Sequence, residues 1–173
     1  MSLTDVLTGL RNRQCLETVC AEALAQDENC VIAFFDVDNF KYYNDEFGHD
    51  VGDQVLIIFS SLLHELENSR IKAGRWGGDE FIMIFFGIDA NEAVKMLLEL
   101  QEKLAAMKDL HETISKAVGR VLPDKPLNIS CSIGVTESTR NGMRFSEAEI
   151  LKKADEALYI VKKGNRKGTL MEL

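Results

Sequence analysis

Two short acidic clusters carry the first chemical signal in this chain. One is Asp36-Val37-Asp38, at the end of the apolar run from Cys30 to Phe35. The other is Asp79-Glu80, which follows Gly77-Gly78 and leads into Phe81 and the apolar run Ile82-Met83-Ile84-Phe85-Phe86. Carboxylate oxygens combined with phosphate ligands are the donor set that Mg²⁺ prefers. Two such ions about 3.5–4 Å apart can run an in-line phosphoryl displacement, one activating the attacking hydroxyl and the other steadying the phosphates. Glycines at the turn let a ligand approach the backbone closely. The spacing also fits a plainer arrangement, in which Asp36 and Asp38 cap the next helix and Asp79-Glu80 are solvated turn residues. An EF-hand calcium loop is excluded. Counted from Asp36, its fifth and sixth positions are Phe40 and Lys41, where an oxygen ligand and a glycine are needed.

The elements that must position these clusters follow from periodicity. Leu7, Leu10, Leu16, Val19 and Ala23 have rough helical spacing and predict a helix over 12–25. A polar connection over 26–29 leads to a buried strand over 30–35. A short helix is expected within 39–47, then a loop and helix start over 48–53. Val55, Leu56, Phe59, Leu62, Leu63 and Leu66 mark an amphipathic helix. Strands over 71–76 and 81–86 flank Gly77 to Glu80 as a hairpin. A helix is expected over 91–107, and a mixture of helix end and loop over 108–126. Leu127, Ile129, Cys131, Ile133 and Val135 alternate with polar or small residues, predicting a strand with one buried face. Ser146 and Glu149 form a capping box for a helix reaching Lys163, followed by a turn and a last short strand over 169–173. A hairpin among helices argues for an α+β sandwich with one mostly antiparallel sheet.

The whole chain sets outer limits. Its 173 residues suit one domain, and 46% apolar with 28% charged residues is ordinary for a globular protein. A net charge of -8 argues against a nucleic-acid polymer or an anionic membrane as partner. It leaves room for a nucleotide whose phosphates are neutralised by metal. Cys15, Cys20, Cys30 and Cys131 form no Cys-x-x-Cys pair, and His49, His64 and His111 lie far from them in sequence. Free thiols in a cytoplasmic setting are expected, not a zinc site. No apolar run approaches a membrane span, and no secretory signal pattern is visible. Met1-Ser2-Leu3 reads as a leader and residues 4–173 as one domain, expected to come from a longer protein.

Gly77-Gly78-Asp79-Glu80-Phe81 spells the signature of the GGDEF family of diguanylate cyclases, and the resemblance runs along nearly the whole chain. Asp36-Val37-Asp38-Asn39-Phe40-Lys41 with Asn44-Asp45, Gly48-His49 and Gly52-Asp53 resembles that family's metal and nucleotide motif. Asp5-Val6-Leu7-Thr8-Gly9-Leu10-Arg11-Asn12-Arg13 is similar to its N-terminal motif. Ser132-Ile133-Gly134-Val135 and Ala154-Asp155-Glu156-Ala157-Leu158-Tyr159 are similar to its C-terminal motifs. The resemblance implies a five-stranded sheet flanked by helices, like the palm of nucleotide cyclases and polymerases, with a ferredoxin-like core. It implies condensation of two GTP into cyclic di-GMP and two pyrophosphates across a homodimer, each domain binding one GTP and two Mg²⁺ or Mn²⁺ ions. Asp36 and Asp79 are the implied metal ligands, with the Val37 carbonyl and Glu80 beside them, and Asp79 is the implied base for the ribose 3′-hydroxyl. Asn44 and Asp53 would read guanine, a carboxylate accepting from its N1 and N2 donors. Phe40, Gly77 and Gly78 would border the nucleotide, and Lys41 and Lys162 would hold its phosphates. A regulatory sensor N-terminal to the domain is the implied partner in the full-length protein. His49 is expected to be structural, bonded near its loop.

Two departures stand out. The family's Arg-x-x-Asp product site is replaced by Asn68-Ser69-Arg70-Ile71, so product inhibition through it should be absent or weak and Arg70 solvated. Only Lys163 separates Lys162 from Gly164, where the family usually has two residues, and Arg166 takes no assigned role. A sensor that binds GTP or cyclic di-GMP without turnover is the rival function, and an interaction domain that binds no metal is the third. The intact Asp36, Lys41, Asn44, Asp53, Asp79 and Glu80 favour the enzyme.

Overall fold

The computed structural model describes residues 2–26 and 29–173. Met1 of the expected leader and Asp27-Glu28 of the expected connection lie outside the described residues. The first helix, α1 (Arg13–Ala25), starts where the Asn12 side chain accepts a hydrogen bond from the Cys15 N–H at 3.0 Å. Then come β1 (Cys30–Val37), α2 (Phe40–Phe47), α3 (His49–Leu66), β2 (Ile71–Gly77), β3 (Glu80–Phe86), α4 (Ala90–Ala105) and α5 (Leu110–Val118). The chain closes with β4 (Cys131–Glu137), a small hairpin β5 (Thr139–Arg140) and β6 (Met143–Arg144), α6 (Glu147–Lys163) and β7 (Leu170–Glu172).

Five strands form one sheet in the order β2-β3-β1-β4-β7. β1 is central and buried along its length, which explains its unbroken apolar run. Val31, Ala33, Phe35 and Val37 face a core built with α3, α4 and α5, while Ile32 and Phe34 face a second core with Leu16 and Cys20 of α1 and Ile150, Ala154 and Leu158 of α6. Each face is therefore covered by helices. The order β2-β3-β1-β4, with α3 and α4 as crossovers on one face, is the ferredoxin-like βαββαβ arrangement.

The sheet is mixed. β1 pairs antiparallel with β3 and β4, and β2 with β3, but β7 pairs parallel with β4. This corrects the mostly antiparallel expectation. The connection from β4 to β7 runs through α6, and a helical crossover is what brings parallel strands together. The expected strand over 127–135 is also corrected: β4 covers Cys131–Glu137, and Cys131 to Thr136 are buried on both faces. The residues that alternate with its apolar positions, Ser132, Gly134 and Thr136, lie under α6 and not in solvent. A Cβ on Gly134 would sit 2.2 Å from the Ala154 carbonyl oxygen and 2.4 Å from the Leu158 nitrogen. The glycine is what lets the helix backbone reach the sheet.

Two elements were not expected. α5 lies inside the stretch read as helix end and loop, and only Leu110 and Ile114 mark its buried side. The β5–β6 hairpin turns on Asn141-Gly142, both with positive φ, the Asn-Gly signal of a type I′ turn. Among the described residues, no helix is long and apolar enough to cross a membrane.

Because α6 rests on Gly134 by backbone contact, Gly134→Ala should lower unfolding stability by about 1–3 kcal/mol. Urea denaturation followed by circular dichroism measures this, and an unchanged midpoint would show that α6 does not depend on that contact.

Candidate functional site

The sheet brings the two acidic clusters together at one end. Asp36, next to last in β1, lies opposite Glu80, the first residue of β3. The Val37 N–H donates to the Asp79 carbonyl at 3.1 Å, which pins the glycine turn against the end of β1. Gly78 has φ of +53° and so adopts a left-handed conformation that glycine tolerates best. Arg75 steadies the turn from below. Its Nε donates to the Gly78 carbonyl at 2.9 Å, and its NH1 lies 3.2 and 3.3 Å from the two Asp5 carboxylate oxygens. Asp5 also accepts from the Thr8 N–H and hydroxyl. Burial raises the Asp5 pKa, but the Thr8 hydrogen bonds and the Arg75 charge outweigh it and hold the carboxyl below its ordinary value. The N-terminal motif thus acts as a brace for the glycine turn.

Asp36 is only 5% exposed, and its Oδ2 accepts a hydrogen bond from Lys162 Nζ in the last turn of α6. Burial pushes the Asp36 pKa up. The Lys162 hydrogen bond pulls it down, and the adjacent Asp79 carboxyl pushes it up again, leaving it at about 7. Burial likewise raises Glu80, with the charges of Asp79 and Asp155 adding to the effect. Asp38 is buried and fully occupied in a different way, accepting from the hydroxyls of Ser130 at 2.6 Å and Ser132 at 2.5 Å. Ser132 Oγ also accepts from the Gly168 N–H at 3.3 Å, so this carboxylate ties the C-terminal turn to the sheet.

A cleft of about 330 Å³ opens over the end of β1. Of the sequence-predicted residues, Asp36, Val37, Phe40, Lys41, Asp79 and Lys162 line it. Gly77 and Gly78 are exposed on the adjoining turn. Glu80 instead faces a neighbouring groove with Asp155 and Tyr159, which shares Lys162 with the cleft. Asn44 and Asp53 stand outside the cleft lining, on α2 and α3. The Asn44 amide packs over Gly52, where a Cβ would lie 1.9 Å from Asn44 Oδ1 and 3.4 Å from the Phe40 ring. Asn44 is thereby continuous with the Phe40 wall. Lys41 is exposed, its ammonium paired with Asp45 at 2.6 Å, which raises its pKa.

The structure adds residues and corrects others. Lys167, unnoticed in the sequence, lines the cleft and donates to Asn39 Oδ1, whereas Arg166 does not line it. Its position on a turn after a helix left no periodic signal. Arg70 is exposed, as expected, and its guanidinium also donates to the carbonyls of Phe86 at 3.1 Å and of Gly87. His49 is exposed at the start of α3 and, among the described residues, makes no side-chain hydrogen bond.

The donor set fits a hard divalent cation. Asp36 and Asp79 supply carboxylate oxygens, and a cation, the Lys162 ammonium, already rests on one of them. Among the described residues, no three His, Cys, Asp or Glu side chains converge tightly enough to hold a metal alone. Phosphate oxygens, backbone carbonyls and water would complete the shell, which is how Mg²⁺ is commonly held.

The raised Asp36 pKa has a sign that can be measured. Without metal, the folded protein takes up a proton at Asp36 near pH 7, which the unfolded chain takes up only near the ordinary aspartate value of 3.8. Stability should therefore rise by about 1 kcal/mol as pH falls from about 8 to about 6. Asp36→Asn should lose this gain. Denaturant midpoints at both pH values, in chelator, decide it, and identical pH slopes for the two proteins would rule it out.

Comparison with known proteins agrees with this geometry. Residues 2–168 match the family model described as diguanylate cyclase, GGDEF domain. The chain is 31% identical over 173 residues to the probable diguanylate cyclase DgcC of Escherichia coli K12, covering 98% of this chain and 43% of that protein. It is 33% identical over 169 residues to the diguanylate cyclase DgcP of Pseudomonas aeruginosa, covering 95% of this chain and 23% of that one. The chain thus spans less than half of these curated relatives. The crystal structure of the GGDEF domain of DgcB from Caulobacter crescentus, solved in complex with c-di-GMP, superposes with a TM-score of 0.82 at 27% identity, covering 99% of this chain and 96% of that one. The matched signature sits on the braced glycine turn at the mouth of the acidic cleft, and the chain belongs to the GGDEF diguanylate cyclase family.

Proposed function

We propose that this domain is one half-site of a diguanylate cyclase, binding one GTP and joining it to a second GTP held by a facing copy. Each ribose 3′-hydroxyl attacks the α-phosphorus of the other GTP. A new P–O bond forms, the bond to the β-phosphate breaks, and two turnovers of this step yield cyclic di-GMP and two pyrophosphates. The observation that carries the reading is the meeting of Asp36 and Asp79 under a cationic wall of Lys162 and Lys167.

In this reading Asp36, Asp79 and the Val37 carbonyl hold two Mg²⁺ or Mn²⁺ ions, with Glu80 beside them. When bound, the ions polarise the attacking hydroxyl and offset the triphosphate charge. Asp79 accepts the 3′-hydroxyl proton. Lys41, Lys162 and Lys167 hold the phosphates and stabilise charge that develops on them. Asn44 and Asp53 read guanine next to the Phe40 wall, and Gly77-Gly78 let the nucleotide approach the backbone. The domain works in the cytoplasm as part of a longer protein whose N-terminal sensor brings two copies together. The curated relatives are longer than this chain, which fits a domain within a longer protein.

Product inhibition through the usual site is absent in this reading. The stretch that should carry it is a turn, with the Asn68 side chain accepting from the Arg70 N–H at 2.8 Å and the Arg70 guanidinium occupied by backbone carbonyls.

Incubation with GTP and Mg²⁺ at high protein concentration, followed by chromatography, should yield a cyclic dinucleotide. Asp79→Ala should lower that yield by about 10³-fold or more while leaving the circular dichroism spectrum unchanged. Turnover retained by this variant would refute its role. Adding cyclic di-GMP to the working enzyme should leave the initial rate unchanged at submicromolar concentration, and tight binding with loss of activity would overturn the reading of residues 68–71.

A further inference from the structure

Lys162 serves two cavities and one buried charge. Its ammonium sits on Oδ2 of Asp36, the carboxylate that the proposed function gives to a metal ion. The Asp36 side chain is 8% exposed and that of Lys162 is 46% exposed, so the contact joins a fixed buried acceptor to a side chain with room to move. Lys162 lines the 330 Å³ cleft and also the adjoining groove of about 620 Å³ shared by Glu80, Asp155 and Tyr159. A lysine is a compact charge on a flexible four-carbon stem, so its head can change partner without moving the helix that carries it. A buried carboxylate left without a cation is costly, and both an ammonium and a divalent ion can supply the compensating charge. They cannot share one oxygen, because like charges repel strongly at such range.

We propose that Lys162 is an exchangeable counter-ion: its ammonium and the divalent cation compete for Asp36 Oδ2, and the cation's arrival frees Lys162 for the phosphates of GTP. This rests on the proposed function for the identity of the metal site and extends it to the order of charge exchange there. The competition lowers affinity for metal alone. The release raises affinity for nucleotide once metal is present. By linkage, nucleotide raises metal affinity to the same degree, so the site favours filling by metal and triphosphate together. Lys163 is a natural control. It carries the same charge one residue further on, but its ammonium lies over the Tyr159 ring, 5.6 Å from the centroid.

The test is Mn²⁺ binding by electron paramagnetic resonance, without nucleotide and then with a GTP analogue carrying a non-cleavable α–β methylene bridge. Lys162→Met should bind Mn²⁺ alone about tenfold tighter than the parent, and Lys163→Met should change it by less than about twofold. The analogue should tighten Mn²⁺ binding in the parent and in Lys163→Met, and distinctly less in Lys162→Met. Lys162→Gln serves as a second variant if the methionine form is poorly folded. Equal or weaker Mn²⁺ binding by Lys162→Met, or an unchanged nucleotide effect, overturns the exchange. So does undetectable nucleotide-free binding in both the parent and Lys162→Met. Asp36→Asn separates the two claims. If it binds Mn²⁺–analogue as well as the parent does, the assignment of Asp36 as a ligand fails, whatever Lys162 does.

Discussion

A carboxylate buried at the end of the central strand must be met by positive charge, and much of this molecule is arranged around that demand. Asp36 has lost nearly all of its water. Its neighbours across the sheet are acidic or polar, Glu80 on one side and Ser132 on the other. Burial and Asp79 both oppose its ionisation, and only the Lys162 contact favours it. Such a group is unfavourable for folding and useful for binding a cation, a combination found where pKa values are strongly displaced.

The cation can arrive only because backbones come close together. α6 delivers Lys162 by lying against Gly134, where a methyl group would collide with main-chain atoms. α2 and α3 approach closely because Gly52 leaves room for the Asn44 amide. Gly78 allows the β2–β3 turn to place Asp79 beside Val37. At Gly134 and Gly52 the missing side chain leaves room for a close approach that a Cβ would block, and at Gly78 it permits the turn's left-handed backbone.

Hydrogen-bonded braces then hold the flexible parts of the site in register. Asp5 fixes Arg75, and Arg75 fixes the Gly78 carbonyl. Asp38 and Ser132 fix the turn that carries Lys167. These buried or half-buried polar groups are satisfied by one another, so the rigidity they bring is not offset by unpaired atoms. Asp5 of the N-terminal motif and Ser132 of the first C-terminal motif take their place in the fold from this bracing.

Much of the fold was legible in local pattern. The unbroken run of β1, the heptad-like spacing of α3, the Ser146–Glu149 capping box of α6 and the hairpin around the glycine turn each follow from neighbouring residues. α5 was not legible, because two buried positions are too few to show a period, and β4 was misread because small and polar residues under a helix look like a solvent face. The sequence by itself determined which residue types were available, their order, and the family they spell. Tertiary structure alone decided that Asp36 meets a lysine 126 residues away, that Lys167 and not Arg166 lines the cleft, and that β7 runs parallel to β4. Those outcomes depend on sheet register and helix approach, where a shift of one residue turns a side chain to the opposite face, and no local pattern encodes that choice.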